Sequence, residues 1–495
     1  MKYYRGICSV FLGVIFFIGD LSIAHAQEVV VVDTVELGVV GQPASVRVRD
    51  GGFSALLNGR ILWTFGDTFF RSGYVSTDSA TYRSNTAALG ELSAPLAVTE
   101  PLDTNGTPFP AVPFTAEEQA FNDSTGSVND RIALWIGGLI PDTDGSALAF
   151  FWKLHATGLL TYAPLGVGTA HFLPDSTTAV RDSALLFSPN EPVFTKAFLH
   201  NGMVYLYGGV VPGGLAQPQF LARAPLENAT DRSAYTFWNG SAWDPDVNNI
   251  DTVMTGVSSG LTVDYNDYLQ QFTAVYSPPF SNKIVMRTAD LPQGPWSSPM
   301  ELFTGLPPDT NLSFPYNRQG IQHPELALNG GQIIFVSYFR PTGFLLGETR
   351  LVKVTLLMAP VAPVLVSPPD GAFNQPTTVE FVWDSAGRAE AYHFQLSLDP
   401  SFATTVIDDS ALTDTSLIVG SLMNDTQYYW RVRSRNAAGV SGWSPVWSFT
   451  TIVALPVAPA LAAPPNGATN QPISLSLIWH PATGADTYHV QVATD

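Results

Sequence analysis

Gly59 to Asp67 reads GRILWTFGD, a glycine turn running into residues that are mostly apolar, aromatic or β-branched. Four further segments repeat the design: Gly145 to Lys153 (GSALAFFWK), Gly202 to Val210 (GMVYLYGGV), Leu269 to Ser277 (LQQFTAVYS) and Gly331 to Phe339 (GQIIFVSYF). Each follows a short apolar strand, namely Phe53 to Leu57, Ile132 to Ile140, Val193 to Leu199, Leu261 to Tyr265 and Glu325 to Leu328, and each precedes more strand-like sequence. Units of 57 to 86 residues, each of about four strands, describe blades around an axis, so residues 27–358 are expected to form a five-bladed β-propeller. Val29 to Val40 would close the ring by joining the last blade. A large irregular β-sandwich is the alternative.

Beyond this region a second repeat stands out. Val361-Ala362-Pro363 recurs as Val457-Ala458-Pro459, Asn374-Gln375-Pro376 as Asn470-Gln471-Pro472, Trp383 as Trp479 and Tyr392-His393 as Tyr488-His489, always 96 residues apart. With Trp383 on an early strand and Tyr428 to Val432 on a late one, this resembles tandem fibronectin type III β-sandwiches. One module is expected at 359–453 and a truncated second one at 454–495, since Asp495 aligns with Asp399. Pro360 to Pro369 and Leu455 to Pro465 read as semi-rigid joints.

A chain of 495 residues, 45% hydrophobic and 13% charged, has ample apolar surface for large cores and too little charge for disorder. Gly 41 and Pro 38 suit an all-β chain of many turns. The net charge of −19 excludes electrostatic capture of nucleic acid or anionic lipid as a basis for function. Met1 to Ala26 carries Lys2 and Arg5, an apolar run from Ile7 to Ile18, and Ala24-His25-Ala26. That is the layout of a cleaved secretory signal, too short to span a bilayer, so a secreted or cell-surface protein beginning at Gln27 is expected. Removal of Cys8 would leave no cysteine for a disulfide, a metal or a lipid.

In a propeller the residues before each innermost strand converge on the central channel. Arg49-Asp50-Gly51-Gly52, Trp135, Asn190-Glu191, Ser258-Ser259 and His323-Pro324-Glu325 hold those positions. Asp50, Glu191 and Glu325 thus come together from three blades, and Asp67 ends the second strand of blade one. Paired carboxylates without a metal or cofactor motif are what glycoside hydrolysis requires: one protonates the departing oxygen, the other acts as base or nucleophile. Each acid also has a plain reading as a turn cap or an arginine partner, Asp67 and Asp50 as turn aspartates in particular.

The stretch RDGGFSALLNGRILWTFGDTFF, Arg49 to Phe70, resembles the opening signature of the family known as domain of unknown function 4185, secreted five-bladed propellers related to arabinanase-like glycosidases. Ser84-Asn85-Thr86, Ala133-Leu134-Trp135 with Gly137-Gly138, Arg287-Thr288-Ala289 followed by Gly294-Pro295-Trp296-Ser297, and His323-Pro324-Glu325-Leu326 agree with it. The family includes endo-acting, inverting D-arabinanases with acids in the Arg-Asp-Gly and Phe-Gly-Asp-Thr motifs. The resemblance therefore implicates Asp50 and Asp67; Asp50 is expected to serve as general base and Asp67 as acid or as partner in that pair, with Glu191 and Glu325, read from the strand starts, as reserves. Arg49, Asn85 and His323 are implied as sugar contacts; Trp63, Trp135 and Tyr265 can stack on a sugar or pack between blades.

No sialidase box, His-Glu-x-x-His, Gly-x-Ser-x-Gly or phosphate loop occurs, so no cofactor or metal is expected, and Asp142-x-Asp144-Gly145 reads as a plain turn. The expected partner is a polysaccharide, cleaved by the acid pair, with furanose-containing arabinan-like chains the first candidate. A non-catalytic glycan-binding propeller and a surface scaffold are the rival readings.

Overall fold

The computed structural model describes residues 29–158, 161–209, 217–309, 315–344 and 346–494. The export signal expected over 1–26 lies outside them. The chain divides into two compact units, Val30–Leu357 and a second that begins at Met358.

The first unit contains five antiparallel sheets, four strands deep along the main path in four of them and five in the third. Blade one is Val46–Leu57, Arg60–Phe70, Thr86–Glu91 and Ala94–Thr99; blade two is Arg131–Pro141, Ala147–Ala156, Tyr162–Phe172 and Val180–Phe187. Blade three begins Val193–His200, Met203–Gly209, Gln217–Pro225 and Thr236–Trp238; blade four is Ser259–Asn266, Gln271–Ser277, Lys283–Ala289 and Met300–Thr304. Blade five is Arg318–Gln322, Ile333–Gly343 and Leu346–Met358, with Val29–Val39 as its outer strand, so the start of the chain completes the last sheet. The innermost strands touch in cyclic order, and that of blade five returns to that of blade one. The expected propeller is present.

Burial explains the aromatic strands. Phe150, Trp152, Phe187, Phe194 and Phe237 fill the layer between blades two and three, while Trp63, Phe65, Leu326 and Phe335 fill that between blades one and five. Each fully buried side chain of this size is worth about 1.5–3 kcal/mol of transfer free energy.

Two innermost strands differ from the sequence reading. That of blade one begins at Val46, not Phe53, because Gly51 (φ 85°) and Gly52 (φ 123°) make a bulge within the strand rather than a turn before it. That of blade five is Arg318–Gln322, not Glu325 to Leu328. Pro324, which has no N–H to give the ladder, opens a 3-10 turn over Pro324–Leu326 after His323 N has donated to Phe335 O (2.9 Å).

The second unit is a β-sandwich. Leu365–Ser367, Val379–Trp383 and Ser416–Val419 form one sheet; Ala372–Gln375, Trp447–Thr451, Gln427–Asn436, Ala391–Ser397 and Ile407–Leu412 form the other. Phe381, Trp383, Phe394, Trp430 and Phe449 make its core, as the fibronectin-like pattern requires. Among the described residues from 454 onward, Leu461–Ala463 pairs with Ile478–Trp479, and Leu461, Ile473 and Val492 are exposed. No described helix is long and apolar enough to cross a membrane.

Blades two and three meet backbone to backbone at Gly138, where an added Cβ would lie 2.5 Å from Ala197 N and Thr195 O. Gly138→Ala is expected to destabilise the propeller by about 1–3 kcal/mol or more in urea unfolding, since backbone cannot yield as a side-chain tip can. Gly442→Ala, which meets nothing within 4 Å, should stay within about 0.5 kcal/mol of the parent.

Candidate active site

The inner hairpin of blade one positions two acids. Arg49 pairs with Thr68 and Gly51 with Phe65, so Asp50 alone faces Gly66 and Asp67 together. Such a bulge re-aims side chains that a regular ladder would alternate. Asp50 Oδ1 lies 2.7 Å from the place a Cβ on residue 66 would take, which is why that residue is glycine. The two acids that the Arg-Asp-Gly and Phe-Gly-Asp-Thr motifs single out are thus neighbours across one pair of strands.

Asp67 is anchored from blade two: its carboxylate forms an ion pair with Arg131 and accepts from Trp135 Nε1 (3.1 Å). Arg131 is held in turn. The helix Ala116–Thr125, started by a Thr115–Glu118 capping box, uses Asn122 to clamp Ile132 N (2.7 Å) and O (3.1 Å), and the Arg131 guanidinium also donates to Val128 O. Trp135 packs edge-on against Trp152 and Tyr162, at 5.4 and 5.1 Å between centroids. From blade five, Gln319 Oε1 accepts from Gly51 N (2.8 Å), and Arg318 stacks on Phe339 within electrostatic reach of Asp50.

Burial is the largest influence on both acids, and it raises both. Burial drives Asp50 up to about 6; Arg318 opposes that shift and Asp67 adds to it. Asp67 is also raised by burial, but Arg131 and the Trp135 hydrogen bond favour its ionised form. Tyr162 is raised by burial and by the charges of both acids, which places its hydroxyl among them, and Tyr82 is pushed up to about 12 beside Arg131 and Asp67. Two neighbouring carboxyls, one of them in contact with the Arg131 cation, are groups of the kind that deliver and receive protons.

Of the residues expected from sequence, the structure gathers Asp50, Asp67 and Trp135. Glu191 instead ion-pairs with Arg232, whose guanidinium stacks on Phe187 and Phe237, because its turn points into the outer part of blade three. Glu325, carried past the end of its strand by Pro324, meets Ser54, four residues along from Asp50. His323 is wholly buried, its Nδ1 against Ser54 Oγ and its ring 4.6 Å from that of Trp63. Arg49 points away from Asp50 into a buried ion pair with Glu100 (2.6 Å) beneath Phe65. Trp63 has no exposed surface and offers no sugar platform. Asn85, also buried, donates to Leu134 O (2.9 Å) and accepts from Val112 N (2.6 Å), tying blade one to blade two. Tyr265 packs on His200 and Phe272 between blades three and four, lining a separate cavity of about 720 Å³. Arg131, Tyr162, Arg318 and Gln319 were missed; arginine at the head of an innermost strand is the signal that marks the first and third.

The family described as Domain of unknown function (DUF4185) matches residues 174–338, from the outer strand of blade two into blade five, so Arg49 to Phe70 falls outside the match. No curated protein matches the chain. Among solved structures, a provisionally assigned hydrolase from Bacteroides ovatus shares 14% identity, covering 64% of this chain and 87% of its own, at a TM-score of 0.46. An exo-β-1,3-galactanase from Phanerochaete chrysosporium, solved with β-1,3-galactotriose, shares 9%, covering 84% and 99%, at 0.39. A variant of FN3tt shares 18%, covering 19% and 96%, at 0.15.

Between about pH 4 and 6 the folded chain keeps a proton on Asp50 that the unfolded chain has released. Stability is therefore lost as pH rises through that window, by about 3 kcal/mol once Asp50 is fully ionised. Asp50→Asn is expected to be more stable than the parent at pH 7, with the gain fading as pH falls toward 4, in thermal unfolding followed across pH.

Proposed function

We propose that the protein is a glycoside hydrolase acting on polysaccharide at the rim of the propeller channel, with Asp50 and Asp67 as its working pair. The observation that carries the reading is the bulge that sets Asp50 against Gly66-Asp67 while different blades supply each acid with its own environment. In this proposal Asp50, raised to about 6, protonates the departing glycosidic oxygen. Asp67, kept ionised by Arg131, takes a proton from the attacking water. These roles exchange those expected from sequence, and what supports the exchange is the cation on Asp67. Trp135 and Tyr162 stand beside the pair as apolar faces against which a sugar ring can rest.

The first substrate to try is an arabinan-like, furanose-containing chain, and inversion is the proposed stereochemical course, with room for water between carboxyls about 6.5–9.5 Å apart. An enzyme of this kind works on extracellular polysaccharide, in keeping with the export signal expected at the start of the chain.

The test is hydrolysis of a panel of plant and mycobacterial arabinans by the protein, Asp50→Asn and Asp67→Asn. Rates should fall by about 10²–10⁴ in each variant, and the parent's activity should decline above about pH 6 as Asp50 loses its proton. Glycan binding without product from any substrate would replace this reading with that of a non-catalytic glycan-binding propeller.

A further inference from the structure

Lys196 belongs to the innermost strand of blade three, yet its Nζ lies 4.7 Å from the centroid of the Phe53 ring on the innermost strand of blade one. It also lies 3.3 Å from where a Cβ on Gly137, on the innermost strand of blade two, would stand. An ammonium group that reaches the innermost strands of three blades, two of which are not neighbours in the ring, occupies the central channel. A side chain at Gly137 would first meet Thr195, 2.4 Å from its Oγ1, and then this ammonium group.

No charge offsets this lysine. Lys153 and Lys283 have Glu118 and Glu301 within 2.7 Å, but Lys196 enters none of the ion pairs among the described residues. Burial alone acts on it and pulls it down to about 8, so it remains protonated at neutral pH. An uncompensated cation in a low-dielectric channel is unfavourable unless something else supplies the counter-charge. The Phe53 ring face supplies part of it.

Phe53 is three residues beyond Asp50, on the far side of the bulge in the same strand. From rim to channel the cations are Arg131, Arg318 and Lys196, against the carboxyls of Asp50 and Asp67. This local excess of positive charge stands in a chain of net charge −19, where nothing in the overall field favours an anion. Glu325, hydrogen-bonded to Ser54, and Asp264, which lines the cavity between blades three and four, are each raised to about 7 by burial, which favours their neutral forms.

We propose that Lys196 is an anion subsite of the channel, receiving a carboxylate or phosphate-ester oxygen carried by the glycan that Asp50 and Asp67 cleave. The substrate is then an acidic polysaccharide. This rests on the hydrolase reading above and adds the class of glycan to it.

Isothermal titration of the full chain with two matched pairs of probes tests the subsite: trigalacturonate against its methyl ester, and arabinose 5-phosphate against arabinose. The charged member of at least one pair should bind tenfold or more tightly than its neutral partner, and the pair that responds tells carboxylate from phosphate. Lys196→Met should abolish that preference and Lys196→Arg should restore part of it. Thermal unfolding should find Lys196→Met at least as stable as the parent, since it removes a buried charge; if it does not fold, Lys196→Gln takes its place. Equal affinities within both pairs, no binding of any probe, or a preference that survives loss of the lysine overturns the proposal. Asp50-dependent hydrolysis with no charge preference leaves the hydrolase standing without the subsite. A lysine-dependent preference in a chain that hydrolyses no glycan does the reverse.

Discussion

One residue faces two in the inner hairpin of blade one, and the site is built around that mismatch. Asp50 stands opposite Gly66 and Asp67 because the ladder slips between Arg49–Thr68 and Gly51–Phe65. A regular antiparallel register would alternate the side chains along both strands, and Arg49 shows where the other face leads: into a buried ion pair with Glu100 beneath Phe65. The bulge turns Asp50 toward the channel, and the absence of a side chain at residue 66 leaves space for its carboxyl. Gly52 serves the same bulge, since its φ of 123° is closed to most other residues.

Around this slip each blade contributes something different. Blade two brings Arg131, fixed by a capped helix whose Asn122 grips the neighbouring backbone, and Trp135, fixed by Trp152 and Tyr162. Blade five brings Arg318 and Gln319, and blade three sends Lys196 across the channel. The packing between blades, dense in aromatic rings, is what makes these placements rigid. Two carboxyls of the same residue type then have different surroundings, since Asp67 has an arginine in contact while Asp50 feels Arg318 and Arg131 only through space, and burial is the largest influence on both.

The blades were legible because a turn followed by apolar, aromatic and β-branched residues can bury a strand on both faces, and the sequence repeats that pattern five times, four of them with glycine in the turn. The 96-residue repeat and its tryptophans made the sandwich legible in the same way. The strand that lines the channel in blade five was not, for a physical reason: Arg318–Gln322 reads RQGIQ, whose polar side chains meet polar partners on neighbouring strands, as Gln319 does Gly51 N, so the apolar alternation that reveals other strands is missing. Its arginine and glutamine were lost with it. Gly51 and Gly52 imitate a turn, which hid a strand that starts at Val46. The motif acids were found, whereas Arg49, Asn85, Trp63 and His323, which lie in or near the same motifs, proved to serve burial and blade-to-blade hydrogen bonding. A motif in this fold records what the bulge and the core demand as much as what a substrate touches.

The central claim is that the bulge buries Asp50 beside Asp67 and so raises its proton affinity, and a carboxyl-carbon NMR titration tests it most directly. With Asp50 assigned by its absence in Asp50→Asn, the account predicts a midpoint near 6 that moves down in Asp67→Asn, where the neighbouring negative charge is gone. A midpoint near the ordinary value of about 4, or one indifferent to residue 67, would contradict it.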